Sequence, residues 1–360
     1  MQKKQLKRRF WKWLIRLMWP HCYIEWFRWA KLRGRYRGKR IFLIANGPSL
    51  NVTPLFLLKD EYTIVFNRFT LMLERLNFIP SFYMIIDALV ASTAKDDIYY
   101  FINKAKYIFI PDVANGNYMN FRKIFPQNDK VMYMFEWPNL RVRFSNHLPY
   151  VSRGSTVVYS AFQVLKYMGF SEVVVVGNDM DYVIHTTANV LKEESIGNGK
   201  KNISVKSMQD DDPNHFDPRY FGKDKEYHQP TETIVQNIFA DLDCVAKEYS
   251  KSGVKVVNAG YNSKVRSFER QDFYECLGYS QEKIDKLFND LVKSLGWESA
   301  ATLLTQATKA DGIWEGELEV VCIPTAKAVD VVKKKVLDYL PIGPYCGCLY
   351  FINRKLIKKQ

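Results

Sequence analysis

IFLIANGPSLN, residues Ile41–Asn51, decides the fold of this chain. Its first five residues are an unbroken apolar run, the pattern of a strand buried on both faces in a parallel sheet. The run stops at Asn46-Gly47-Pro48-Ser49. Glycine lets a ligand come close to the backbone, and proline fixes the turn. A loop of this kind at the carboxyl end of the first parallel strand is where α/β proteins hold a nucleotide. No GK[ST] follows, so it is not a P-loop, and it is not GxGxxG. A nucleotide bound here is held without the common dinucleotide or Walker geometry.

Working outward, short apolar runs alternate with helical stretches. Thr63–Phe66, Ser81–Ile86, Tyr107–Ile110, Val131–Phe135 and Glu172–Gly177 read as strands, and Val254–Val257 as the last strand of the domain. Ser155–Met168 reads as a helix stopped by Gly169, and Val235–Ser250 as another. This alternation predicts an α/β, doubly wound, mostly parallel Rossmann-like sheet. Residues 183–231 interrupt it with a polar segment, expected to be a structureless lid or active-site loop. From about Ser267 the composition turns helical, with Ser280 an N-cap, Glu317–Ile323 strand-like and Thr325–Tyr339 helical. The resulting division is a basic arm at 1–39, a catalytic domain at 40–266 and a mainly helical extension at 267–360.

The net charge of +14 is concentrated: the first 40 residues carry 14 basic side chains against one acid, Glu25. The basicity therefore belongs to an arm, and nucleic-acid binding by the whole chain is not implied. Phe10, Trp13, Leu14 and Leu17 follow helical spacing, and Pro20 divides the arm into two short helices. Tryptophan and basic residues on an amphipathic helix suit an anionic membrane surface; packing on the domain, an oligomer contact or an RNA-binding arm are the other readings. No uncharged stretch is long enough to span a bilayer. The six scattered cysteines read as reduced thiols, with the protein expected in the cytoplasm, peripherally associated with the inner membrane.

Chemistry-bearing residues gather at expected strand ends. Asn46, Gly47 and Ser49 follow the first strand, Asn67 the second, Asp87 the third, and Asp179 and Tyr182 the valine-rich strand. Asparagine there is either a turn former or a donor to sugar, base or phosphate. Arg153-Gly154-Ser155 opens onto a helix, as either an ordinary serine cap or a phosphate site. His215, Asp217 and His228 lie in the polar segment. Each histidine is either a surface residue or a proton acceptor near neutral pH. Asp210-Asp211-Asp212 can bind a metal only if the carboxylates converge, so a solvated acidic turn is the competing reading.

The ordered set Asn46-Gly-Pro-Ser-Leu50, Asn67-Arg68, Ser152-Arg-Gly-Ser155, Gly169–Asp179, His228 and Asn258–Ser263 resembles the bacterial sialyltransferases of glycosyltransferase family 42. It also resembles related bacterial domains of unknown function, including flagellin-glycosylation proteins. The resemblance covers about residues 40–265. It implies a GT-A-like variant of the Rossmann-like sheet and metal-independent transfer from a CMP-activated nonulosonic acid to a sugar hydroxyl of a cell-surface glycan, such as lipopolysaccharide or capsule. It implies no cofactor. The implied partners are the nucleotide-sugar donor and a glycan acceptor that can be lipid-linked; a homo-oligomer is an expectation from the arm and the carboxyl-terminal helices, not from the resemblance. By the same analogy Asn46, Gly47, Ser49, Asn67, Asp87, Arg153, Gly154, Ser155 and Asp179 hold the donor. His228 is the general base, Tyr182 bonds the departing phosphate, and His215 and Asp217 belong to the acceptor site or the lid. Asp87 stands where the sialyltransferases carry asparagine. The related domains also include an archaeal pterin diphosphokinase, so ATP-dependent diphosphate transfer and a non-catalytic membrane adaptor are the alternatives.

Overall fold

The computed structural model describes residues 20–76, 78–114, 119–125, 128–136, 144–197, 200–261, 263–294, 296–309, 318–324, 339–345 and 348–353. The first expected arm helix (Phe10–Leu17), most of Thr325–Tyr339 and the basic carboxyl tail lie outside these residues.

Nine strands form one sheet in the order β14-β13-β9-β1-β2-β3-β4-β7-β8, every neighbouring pair parallel. They are β1 (Arg40–Ile44), β2 (Tyr62–Phe66), β3 (Phe82–Met84), β4 (Tyr107–Pro111), β7 (Val131–Glu136), β8 (Tyr150–Val151), β9 (Glu172–Val176), β13 (Lys255–Asn258) and β14 (Glu269–Arg270). Strands β5 (Val113–Ala114) and β6 (Met119–Asn120) make a separate small pair. The doubly wound α/β class expected from the sequence is therefore the observed one. Expected boundaries shift by one or two residues, and β14 adds a strand beyond the one expected to be last.

The apolar runs have a plain cause. Ile41, Leu43, Val173 and Val175 pack into one core layer and Phe42, Ile44, Val174 and Val176 into the other. Strands covered on both faces need apolar residues at every position. One layer is closed by α1 (Pro20–Ala30), α4 (Val157–Met168) and α5 (Glu232–Ser250). The other is closed by α2 (Ala88–Thr93), α3 (Lys95–Lys104) and short 3-10 turns. Gly169 ends α4 at φ +87°, and a Cβ there would lie 2.8 Å from the Cα of Gly34. Only glycine satisfies both demands. The winding reverses at β1, which lies between β2 and β9.

Three expectations are corrected. Residues 20–39 belong to the domain rather than to a separate arm. Trp29, Leu32 and Tyr36 are core residues, and the Trp29 indole donates to the Tyr133 carbonyl at 2.9 Å. Residues 183–231 are not structureless: β10 (Asn189–Gly197), β11 (Lys200–Lys206) and β12 (Glu226–Gln229) form an antiparallel sheet. Alternation is weak in β10 because its exposed residues include Val190 and Leu191, which hid it from a pattern reading. The segment from 267 onward is mixed rather than mainly helical. Helices α6 (Gln281–Ser294), with Ser280 as its cap, and α7 (Ala300–Gln306) pack on a four-stranded sheet. Its order is β15-β16-β18-β17, from β15 (Thr308–Lys309), β16 (Val320–Pro324), β17 (Tyr339–Tyr345) and β18 (Cys348–Asn353). Val52, just past the opening motif, packs against Val321, Ile323, Leu349 and Phe351 of that sheet. Among the described residues no helix is long and apolar enough to cross a membrane.

Because Trp29 fills the core, Trp29→Ala should lower unfolding stability by about 3–5 kcal/mol. Urea denaturation followed by circular dichroism measures this. A change below 1 kcal/mol would return residues 20–39 to a detached arm.

Candidate functional site

The opening motif is held from inside. The Ser49 amide donates to one Asp179 oxygen at 2.8 Å and the Ser49 hydroxyl to the other. The Gly47 amide donates to the Gly177 carbonyl at 2.7 Å. A Cβ on Gly47 would lie 2.4 Å from the Asp179 carboxylate, so the glycine serves this close approach. Of the residues expected to hold a donor, Ser49 and Asp179 bond each other and Gly47 bonds Gly177, joining the ends of β1 and β9.

Residues 210–222 then cross this motif. The Phe216 amide donates to the Asn46 carbonyl at 3.0 Å, and the Asn46 amide group donates to the Tyr220 hydroxyl at 3.1 Å. Asn51 donates to the Phe216 carbonyl, and Arg68 to that of Tyr220. Asp217 is fully buried between Arg219 at 2.8 Å and Arg75 at 3.4 Å, so it is a structural ion pair and does not face an acceptor. Burial alone would raise its pKa, but the Arg219 hydrogen bonds and the charges of Arg219 and Arg75 hold it below the usual carboxylate range. The three consecutive aspartates diverge. Asp210 accepts from the Lys223 amide, Asp211 bonds His185 and Thr187, and Asp212 bonds His215. Among the described residues no group of three or more His, Cys, Asp or Glu is placed to hold a metal ion.

The open space lies beside this wall. A cleft of about 1010 Å³ runs between the carboxyl ends of β3 and β8 on one side and β11 and β12 on the other. Asp87, Arg153, Ser155, Tyr182, His215 and His228 all line it. A recess of about 200 Å³ is bounded by Asn67, Asp87, the Arg153–Val157 turn and His228. Asn46, Gly47, Ser49, Asp179 and Asp217 are not among the residues lining either space.

Each lining group is set by local geometry. Asn67 leaves β2 at φ +54°, a conformation asparagine tolerates, and its amide donates to the Met84 carbonyl at 3.2 Å. Its side-chain Oδ1 is enclosed with no partner among the described residues. A buried acceptor in that state calls for a ligand or ordered water. Asp87 caps α2, accepting from the Leu89 and Val90 amides at 2.7 and 3.1 Å, while its other oxygen lies 3.9 Å from Arg153. Arg153 also lies 4.0 Å from Glu136. The cap of α4 is Thr156 rather than Ser155, whose amide donates to Asp241 of α5 at 2.6 Å. Asp241 thus takes up part of the expected phosphate site and pins the Gly154 turn, where a Cβ would meet Tyr159 at 2.4 Å.

His228 stands on β12 with Nδ1 3.4 Å from the Ser204 hydroxyl, and it borders both the cleft and the recess. His215 borders the cleft alone. It stacks on Tyr220 at 3.8 Å, and its Nδ1 lies 2.8 Å from the Asp212 carboxylate. Tyr182 is 38% exposed and lines the cleft. Burial, with the Asp179 and Asp212 charges, pushes this phenol up to about 12, so it keeps its proton at neutral pH. Sequence reading missed three residues: Asp241, Tyr227 and His185. Tyr227 stacks on Phe221 at 4.2 Å, and its hydroxyl bonds His185. His185 is buried with both ring nitrogens engaged, by Tyr227 and Asp211, which marks it as structural. Nothing local in the sequence separates it from His228.

The family described as 6-hydroxymethylpterin diphosphokinase MptE-like matches residues 23–185. Among solved structures, the chain is similar to the MAf glycosyltransferase from Magnetospirillum magneticum AMB-1, with 13% identity and a TM-score of 0.41. That match covers 76% of this chain but 47% of the other, so the chain spans about half of that protein's length. It is also similar to the sialyltransferase CstII from Campylobacter jejuni, solved in complex with a substrate analogue, cytidine-5'-monophosphate. That match has 12% identity and a TM-score of 0.35, over 65% of this chain and 85% of the other. No curated protein matches the chain.

The Asp217 ion pair makes a pH prediction. A carboxylate depressed in the folded state stabilises above its unfolded pKa of about 3.9, and this stability is lost as pH falls through the folded value. Asp217→Asn should cost about 3 kcal/mol at pH 7, and the difference from wild type should vanish in strong acid. Urea midpoints across pH 2–7 test this; a difference independent of pH would refute it.

Proposed function

We propose that this protein is a glycosyltransferase that moves a nonulosonic, sialic-acid-like sugar from a CMP-activated donor to a hydroxyl of a surface glycan, without a metal ion. The observation that carries the reading is the recess beside His228. There the unpartnered Asn67 oxygen, the Arg153 guanidinium and the start of α4 meet. The ordered motifs shared with the sialyltransferases support the donor class.

The chemistry divides along the cleft. Asn67 accepts a hydrogen bond from a ribose hydroxyl or base amine. Arg153 and the α4 amino terminus face the phosphate, whose charge develops as the sugar–phosphate bond breaks. Tyr182, protonated at neutral pH, donates to the departing phosphate oxygen. His228, at the junction of recess and cleft, takes the proton of the acceptor hydroxyl as its oxygen bonds the anomeric carbon. The Asp212 carboxylate keeps a proton on His215 Nδ1, leaving Nε2 to orient the acceptor.

The match of residues 23–185 favours a second reading: diphosphate transfer from ATP to a pterin alcohol, with Asp87 and Asp212 as the carboxylates facing the cleft. Thermal denaturation with CMP, CDP, UDP, ADP and ATP, each with and without magnesium, separates the two. Stabilisation by CMP without magnesium is expected. Stabilisation by ATP with magnesium and none by CMP would sink the first reading and support the second. In a transfer assay, His228→Ala should lower turnover about 10²–10⁴-fold while keeping the CMP-induced shift. Unchanged turnover would remove His228 from the chemistry.

A further inference from the structure

Helix α1 is turned inside out. Its charged residues face the protein. Glu25 is fully buried, 3.0 Å from Arg28 and 3.6 Å from Arg122, and accepts the Tyr133 amide at 3.3 Å. Arg28 also donates to the Asn128 carbonyl at 2.7 Å, and Trp29 is in the core. The side chains turned to solvent are apolar: Tyr23 at 60% exposure, Ile24 at 53%, Trp26 at 57% and Phe27 at 74%, with Ala30 beside them. At 100° per residue these five span one continuous arc of roughly 160°. An ordinary surface helix shows the opposite arrangement. Four large apolar side chains exposed together on one short helix mark an interaction site rather than scattered surface residues.

The surroundings of this arc identify what covers it. The turn that follows α1 exposes Lys31, Arg33, Arg35, Arg37 and Lys39. Alternate residues of the same turn, Leu32 and Tyr36, are buried, so the backbone that carries these cations is fixed. The sequence leading into α1 adds Lys3, Lys4, Lys7, Arg8, Arg9, Lys12 and Arg16, with no acid before Glu25. Aromatic and aliphatic groups beside dense positive charge complement a lipid interface with anionic headgroups: rings enter the headgroup boundary while cations meet phosphates.

We infer that the exposed face of α1, with the basic turn after it, docks this protein on an anionic lipid bilayer. The arc lies in the interface plane and does not cross the membrane. This inference is independent of the reaction proposed for the cleft.

Co-sedimentation of the full chain with phosphatidylcholine vesicles containing 30% phosphatidylglycerol tests it, with pure phosphatidylcholine as the comparison. Binding to the anionic vesicles is expected, at least tenfold weaker to the neutral ones and weakened by 0.5 M salt. Trp26→Glu/Phe27→Glu changes only exposed side chains, and circular dichroism checks that it folds. It should reduce anionic-vesicle binding more than tenfold. Binding that is unchanged in this variant overturns the assignment of the α1 face. So does an absence of vesicle binding, with the wild type sedimenting as a dimer and the double variant as a monomer, because the face then covers a second copy of the chain.

Discussion

The Asp179 carboxylate, taking the amide and hydroxyl protons of Ser49, is the contact on which the arrangement of the site depends. It joins the loops after β1 and β9, the two strands beside which the sheet reverses its winding. In an open α/β sheet that reversal opens a crevice. Here the two loops are tied to each other across that reversal, with Gly47 giving the carboxylate room. Residues 210–222 lie over this tie and bond Asn46 and Asn51. The usable space is displaced toward β3 and β8, where Asn67, Asp87 and Arg153 stand.

This displacement explains why the polar segment is a wall. Asp210, Asp211, Asp212 and Asp217 each hold a different part of it, and a stack of His215 on Tyr220 and Phe221 on Tyr227 fills its interior. Of these, Asp212 and Asp217 are buried, each with several donors, and so fix the conformation of the wall from inside. The histidines facing the cleft are therefore carried on fixed supports: His215 on this wall and His228 on β12. A proton acceptor must be held within hydrogen-bond reach of its substrate, and rigid carriage provides that.

Much of the fold was legible because a parallel sheet covered on both sides must be apolar at every position. Ile41–Ala45 and Val173–Val176 say so directly. The stop at Gly169 and the cap at Ser280 were legible for equally local reasons. Strands β10 to β12 were not, because residues 189–194 of β10 are exposed on both faces and so carry no alternation of apolar and polar positions. Of the sheet formed by β15 to β18, β16 was legible as the strand-like run ending at Ile323, and the other strands were missed where helical composition around them dominated the reading. In the site, Asn67, Asp87, Arg153, Gly154, Ser155, Tyr182, His215 and His228 were found from strand-end position and residue type, and the structure gathers them around one cleft. Gly47, Ser49 and Asp179 were found by the same rule and hold the loops after β1 and β9 together, while Asn46 donates its amide group to Tyr220 and keeps its Oδ1 without a partner among the described residues.

The sequence by itself determined the doubly wound sheet, the strand ends that carry polar residues and the concentration of positive charge near the amino terminus. Those follow from periodicity, turn chemistry and composition, which are local. Only the tertiary structure decided which strand-end residues bind one another and which face open space, since that depends on distances between segments far apart in the chain. Ser49 and Asp179 are 130 residues apart and in contact. The same holds for α1, for which the sequence left membrane association and packing on the domain both open. The buried Glu25 and Trp29 settle which face the protein keeps and which it leaves to solvent.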